Sequence, residues 1–244
     1  MTYALETKNL TKAFGGVKAV NELSISIPEG KITGIVGPNG SGKTTLTNLL
    51  TGVHPISGGV VRIAERDHAR LKPYRVRSLG ITRTFQNVRL FEQMSVLDNV
   101  LIALTKRSVL ASLLERTQKA HLERAETLLT RVGLWEKRDE NAKNLSYGQR
   151  KLLEITRAIA TNAEIILFDE PYAGLFPEMV RMVSGVMRGL KEEGKTIVLI
   201  EHDMAVIREL CDHLIVMDAG RLLAEGIPSD VLQDKAVIEA YLGA

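Results

Sequence analysis

The stretch KITGIVGPNGSGKTTLTNLLTG, residues 31–52, restricts the fold more than any other. An apolar run ends at Gly37, a glycine-rich loop follows, and a helical apolar pattern then runs on to Gly52. That is a buried strand feeding a loop and a helix, the building unit of α/β sheets. Gly37, Pro38, Asn39, Gly40, Ser41, Gly42, Lys43 and Thr44 fit the spacing G-x-x-x-x-G-K-S/T in the strand–helix context it requires. Glycines let backbone N–H groups face phosphate oxygens with no Cβ in the way. The helix N-terminus adds a favourable dipole. Lys43 brings a positive charge to the β- and γ-phosphates, and the Thr44 hydroxyl can ligate Mg²⁺. Thr45 adds a hydroxyl near the α-phosphate.

Around this unit the chain alternates. YALETKNL and ELSISI read as period-two strands, and GGVVRI and GITRTFQ as further short strands. From Ser95 to about Val132 the pattern turns helical, with Ser95 and Asp98 spaced as a capping box and Gly133 as a stop. Strand–helix alternation returns after Gln149 in AEIILFDE, a helix near Glu178–Glu193, KTIVLIEH, another helix, HLIVMDAG and RLLAEG. The expectation is one α/β domain, residues 1–244, interrupted by an inserted helical subdomain at 87–145 and closed by a helical cap at 228–244.

Two strand ends complement the phosphate loop. EIILFDE delivers Asp169 to the carboxyl end of a buried strand, where open α/β sheets bind ligands. Asp169 can hold Mg²⁺ through water, and Glu170 is placed to orient or deprotonate an attacking water. VLIEHD puts His202 at the same edge as a donor to the γ-phosphate.

Composition narrows the partners. A net charge of +3 over 244 residues is too mild to argue for nucleic acid. The lone Cys211 excludes an intrachain disulfide framework and reads as a small buried hydrophobe in a reducing compartment. No apolar run has the length of a membrane span, and the N-terminus lacks a basic-then-apolar signal pattern. The expected location is cytoplasmic, with any membrane association made through a partner.

A second candidate anion site lies in NLSYGQ, residues 144–149, just before another helical pattern. Leu145, Ser146, Tyr147, Gly148 and Gln149 match the LSGGQ signature of ABC transporter ATP-binding subunits, with Tyr147 at the first of its two glycine positions. With the phosphate loop, Asp169-Glu170 and His202 in this order, essentially the whole chain resembles that family. The resemblance implies a RecA-like P-loop NTPase core with an N-terminal antiparallel β subdomain and an inserted α-helical subdomain. It implies ATP and Mg²⁺ as ligands, and hydrolysis with Glu170, His202 and Gln86 as catalytic residues. Two subunits would pack head to tail, each ATP lying between one subunit's phosphate loop and the other's signature. Ser146 would offer its hydroxyl and Gly148 its N–H to the γ-phosphate across that interface.

Phe14 stands where the family stacks an aromatic on adenine, the other reading being core packing. Gln86 matches the Q-loop glutamine, which contacts Mg²⁺ or the water, so that Thr44, Gln86 and Asp169 form the implied metal set. One motif departs: in Ala173-Gly174-Leu175-Phe176, Phe176 replaces the family's aspartate, and phenylalanine cannot accept hydrogen bonds. GITRTFQNVRLFEQMSVLDNVLIAL and the ending VIEAYLGA resemble the branched-chain amino-acid importer branch. That branch implies transmembrane permease subunits, a second ATP-binding subunit (self or paralogue), and indirectly a periplasmic or extracellular solute-binding protein. It places the chain peripherally on the cytoplasmic face of the inner or plasma membrane. Leu90, Phe91 and Met94 then either dock a short cytoplasmic helix of the membrane subunit or pack under the insertion. An ABC-type switch acting on nucleic acid or ribosomes is the alternative class, and a non-catalytic ATP-dependent clamp, motivated by Phe176, is a third.

Overall fold

The computed structural model describes residues 2–84, 88–105 and 115–242. They form two compact units: Met1–Arg83, Glu164–Glu170 and Arg188–Ala244 in the first, Thr84–Ala163 and Pro171–Met187 in the second. The expected 87–145 insertion falls within the second unit. In chain order the elements are β1 (Tyr3–Phe14), β2 (Val17–Leu23), β3 (Ser26–Pro28), β4 (Ile32–Val36), α1 (Lys43–Leu50), β5 (Gly58–Ile63), β6 (Arg66–His68), α2 (Pro73–Val76) and β7 (Ile81–Arg83). There follow α3 (Val96–Leu104), α4 (Glu115–Arg131), α5 (Tyr147–Ala160), β8 (Ile165–Asp169), α6 (Pro177–Glu192), β9 (Thr196–Ile200), α7 (Met204–Leu210), β10 (His213–Asp218), β11 (Arg221–Gly226), α8 (Pro228–Val231) and α9 (Lys235–Leu242).

The first unit holds two sheets. One is antiparallel, in the order β2-β1-β5-β6 with β3 on β1. ELSISI does not run through as a single strand: β2 stops at Leu23 and β3 starts at Ser26. The buried Thr7 hydroxyl explains the break. It donates to the Leu23 carbonyl at 2.8 Å and accepts from the Ile25 N–H at 3.1 Å, replacing ladder bonds with side-chain bonds. The other sheet runs β11-β10-β4-β9-β8-β7, parallel from β10 to β7 with β11 antiparallel at the edge. Every residue of β4, β8 and β9 is buried, as apolar runs rather than alternating patterns require. Leu46, Leu49 and Leu50 of α1 join Leu5, Leu10, Ile35, Ile63, Ile200 and Ile215 in one core. Each such side chain contributes about 1.5–3 kcal/mol on burial.

Cys211 is part of this packing. A Cβ on Gly34 of β4 would lie 3.0 Å from the Cys211 sulfur and 3.1 Å from terminal methyls of Ile207 and Leu214. Burial, helped by the neighbouring Asp212, pushes the thiol up to about 12, far from the reactive thiolate range.

In the second unit Ser95 caps α3, accepting from the Asp98 N–H at 3.0 Å. Gly133 ends α4 with φ +66°, and the Leu134 N–H returns to the Leu129 carbonyl at 2.8 Å. Val96, Val100, Leu128, Leu129, Leu152 and Leu153 are buried. The fully buried Asn99 clasps Phe91 from both sides, accepting from its N–H and donating to its carbonyl, each at 3.0 Å.

The Gly34 contacts make a test of the packing. Gly34→Ala should lower unfolding stability by about 1–3 kcal/mol, the cost of overpacking a filled core. Urea denaturation measures it, and Cys211→Ala in the same chain should restore part of the loss.

Candidate functional site

The parallel register assembles the site. β9 pairs with both β4 and β8, so the carboxyl ends of all three meet at one edge. The phosphate loop leaves β4, Asp169 ends β8 with Glu170 directly after it, and His202 follows β9 by two residues. The three elements singled out from sequence therefore share one sheet edge within the first unit.

The loop has the shape a phosphate cradle needs. Gly37, Gly40 and Gly42 all have positive φ, at 153°, 83° and 98°. A Cβ on Gly37 would strike the Met217 carbonyl oxygen at 2.1 Å, and one on Gly42 the Ala19 carbonyl oxygen at 2.5 Å. Glycine is required at both positions by close backbone approach. Around Gly40 nothing lies within 4 Å, so a Cβ there would instead fill the open mouth of the loop. Lys43 is only 7 % exposed and donates to the carbonyls of Gly37 at 2.7 Å and Pro38 at 3.0 Å. Burial holds its ammonium below the ordinary lysine range; Glu170 and Asp169 oppose that shift, which places both carboxylates within electrostatic reach of it. Asn39, Gly40 and Thr44 are exposed, Pro38, Gly42 and Thr45 partly so, and Gly37 and Ser41 buried.

Glu170 adopts φ +48°, uncommon for a residue with a side chain, and its N–H donates to the Ile200 carbonyl at 3.0 Å. Its Oε1 lies 2.9 Å from His202 Nε2, so the two candidate catalytic groups touch. The His202 N–H in turn donates to the buried Glu201 carboxylate at 3.1 Å. Asp169 is 4 % exposed and pairs with Arg83 of β7: Nη2 meets its Oδ2 at 2.6 Å, while Nη1 of the same guanidinium donates to Asn48 Oδ1 on α1 at 2.6 Å. Sequence reasoning passed over Arg83 and Asn48. The available signal was a charge at the end of ITR, a strand paired with the all-buried β8.

These residues suit ATP and Mg²⁺. Among the described residues there is no cluster of three or more His, Cys, Asp or Glu that could hold a metal unaided. Mg²⁺ does not need one: it keeps waters and phosphate oxygens and takes one or two protein oxygens, and this edge offers the Thr44 hydroxyl and, through water, Asp169. Gln86, the remaining member of the expected metal set, lies outside the described residues. Phe14 is half exposed at the end of β1, with the Lys12 ammonium 4.8 Å from its ring centroid and His54 edge-on at 5.2 Å. That is a ring kept at the surface and not packed in the core.

The signature lies in the second unit and is held by its own contacts. Ser146 caps α5 in a complete capping box: its Oγ accepts from the Gln149 N–H at 3.3 Å, and its own N–H donates to Gln149 Oε1 at 3.1 Å. Leu145 is buried beneath it. A Cβ on Gly148 would fall 2.2 Å from the Met179 sulfur, so the glycine lets α6 approach the start of α5. Tyr147, where the family pattern has glycine, is half exposed and its ring lies against Gly174, which has φ +72°. Phe176 nearby in sequence is 76 % exposed.

Comparison with known proteins agrees with this geometry. The ABC transporter family model matches residues 20–173, and a model described as branched-chain amino acid ATP-binding cassette transporter matches residues 221–244. The chain is 39 % identical to the high-affinity branched-chain amino acid transport ATP-binding protein LivG of Salmonella typhimurium, over 98 % of this chain and 97 % of that protein. It is 37 % identical, with the same coverage, to BraF of Pseudomonas aeruginosa, which carries the same description. A crystal structure of a nucleotide-free ATP-binding cassette from an ABC transporter superposes with a TM-score of 0.87 at 37 % identity, covering both chains completely. A dimeric post-hydrolysis cassette bound to ADP and Pi superposes with a TM-score of 0.80 at 27 % identity, over 92 % of this chain and 98 % of that one. The chain belongs to the ABC transporter family, as one of its ATP-binding, ATP-hydrolysing cassettes.

Proposed function

We propose that this cassette powers an importer of branched-chain amino acids from the cytoplasmic face of the membrane. The observation that carries the solute class is the end-to-end similarity to LivG and BraF, extended by the branched-chain model over the last 24 residues. Among the described residues no helix is long and apolar enough to cross a membrane, and the transmembrane path is assigned to permease subunits on the strength of the transporter relatives. A surface suited to them is the segment around Phe91, which is 48 % exposed while Asn99 fixes its backbone and the Arg157 guanidinium sits 5.0 Å from its ring centroid. A short partner helix could lay an apolar face there. A periplasmic or extracellular solute-binding protein would deliver the solute.

Within the site, the phosphate loop and Lys43 grip the phosphates, and Phe14 offers a face to adenine. The Thr44 hydroxyl and Asp169 would hold Mg²⁺, which would supply charge neutralisation at the phosphate oxygens, and Gln86 is the further ligand that the family pattern implies. Glu170 orients the attacking water and takes its proton, and His202, 2.9 Å away, holds that carboxylate and faces the γ-phosphate. Ser146 and Gly148 complete the site of a second subunit, self or paralogue, packed head to tail. ATP thereby joins two subunits and hydrolysis releases them, a ligand-driven two-state switch.

Three outcomes test this. Glu170→Gln should cut turnover by about 100-fold or more while ATP affinity holds, read by steady-state ATPase rates and a binding titration; unimpaired turnover would remove Glu170 from the role of base. Ser146→Arg should leave nucleotide binding by the monomer intact and abolish ATP-induced dimerisation and hydrolysis, read by light scattering and ATPase assay. Mild-detergent purification of the tagged protein from its native membranes should bring down multispanning subunits, a second cassette and a binding protein whose ligand is a branched-chain amino acid. Ribosomes or a wholly soluble partner set would overturn the transport reading.

A further inference from the structure

Arg83 has no part in the roles assigned above, yet it occupies the carboxylate expected to serve the metal. Arg83 and Asp169 are 7 % and 6 % exposed at the side chain and meet at 2.6 Å. A carboxylate so buried needs a counter-charge, and removing one partner of such a pair is costly because the other charge stays behind. Arg83 supplies the counter-charge from the neighbouring strand, Ile81–Arg83 running parallel to Ile165–Leu167. Its second arm reaches Asn48 on α1, the helix that the phosphate loop opens. One planar guanidinium thus ties the phosphate-loop helix to the metal carboxylate with two directed bonds, a geometry lysine cannot copy. Arg83 also precedes Gln86 by only three residues.

We infer that Arg83 is a positioning residue that acts as an exchangeable counter-ion: it holds Asp169 Oδ2 until Mg²⁺ arrives with nucleotide, then yields that oxygen to the metal and its bound water. This rests on Asp169 serving the metal. A divalent ion and a guanidinium cannot both neutralise one carboxylate without mutual repulsion, so metal and Arg83 compete. Displacement of Arg83 pulls on the end of β7 and on Asn48. Metal occupancy is thereby passed to β7 and to α1.

The competition has a sign that a purely structural pair would not show. In Arg83→Met the bond to be displaced is gone. The Mg²⁺ concentration giving half of the metal-dependent thermal stabilisation, at saturating ATP, should fall by about tenfold, the equivalent of one charge-assisted hydrogen bond. The gain from ATP in EDTA should be the same as in the parent protein. Arg83→Lys, which keeps the charge but loses the fork, should shift the midpoint less in the same direction and serves if the methionine variant does not fold. An unchanged or raised Mg²⁺ midpoint in these variants overturns the inference. Asp169→Asn separates it from the metal assignment beneath it. If that variant loses the Mg²⁺ effect while the Arg83 variants match the parent protein, Arg83 alone is wrongly placed. If the Mg²⁺ effect survives Asp169→Asn, the metal assignment falls and the inference with it.

Discussion

The parallel pairing of β4, β9 and β8 is the constraint on which the site depends. Parallel ladders with both faces buried admit long apolar runs and leave polar chemistry only where the strands end. The three strands have a fixed register, so their ends carry the phosphate loop, His202 and Asp169-Glu170 to one edge. A one-residue slip of β8 would invert its side chains, turning Asp169 away from that edge and Phe168 towards it. The register is held by apolar side chains that touch no ligand: Ile165, Leu167, Val198, Ile200 and Ile35 share a single core. Catalytic geometry is in this sense a by-product of aliphatic packing.

At that edge each key charge has a partner within the chain. Lys43 is held by the carbonyls of Gly37 and Pro38, Asp169 by Arg83, and Glu170 by His202. Such partners keep buried charges tolerable, since an unpaired ion in this setting is far more costly than a paired one. They also determine how firmly the site grips nucleotide. A ligand reaching Lys43 must outcompete two backbone carbonyls, and one reaching Asp169 must outcompete a guanidinium. Binding energy is the difference between the two sets of bonds, so small changes in the internal partners alter affinity without touching the ligand.

Much of this was legible in the sequence because the motifs are local. A glycine loop between an apolar strand and a helix, or an acid at the end of IILFD, carries its own context over a dozen residues. The Ser95 cap was legible for the same reason, needing only a partner three residues on. What escaped was long-range. Arg83 meets Asp169 across 86 positions and Asn48 across 35, and no periodicity links them. ELSISI was read as one strand because its alternation is regular, while the Thr7 hydroxyl that interrupts it comes from another strand. Tyr147 stood out only as a departure from a glycine. Its reason, a ring covering the Gly174 turn, requires the fold.

The signature and the loop at Ala173–Phe176 both depart from the family pattern, and the two segments touch here. Tyr147 lies on Gly174, whose positive φ sets the turn just before the exposed Phe176. A glycine at 147 would leave that turn uncovered, and a larger residue at 174 would meet the tyrosine ring at 3.0 Å. The capping box and the Gly148–Met179 contact fix the start of α5 from inside the same unit. The signature is therefore shaped before any nucleotide meets it, and it can be presented to a second subunit as a preformed surface, which lowers the ordering cost of closing on ATP. Phe176 adds exposed apolar area where the family pattern has an aspartate that forms hydrogen bonds. Any contact made by that ring would gain from exclusion of water and not from directed bonds.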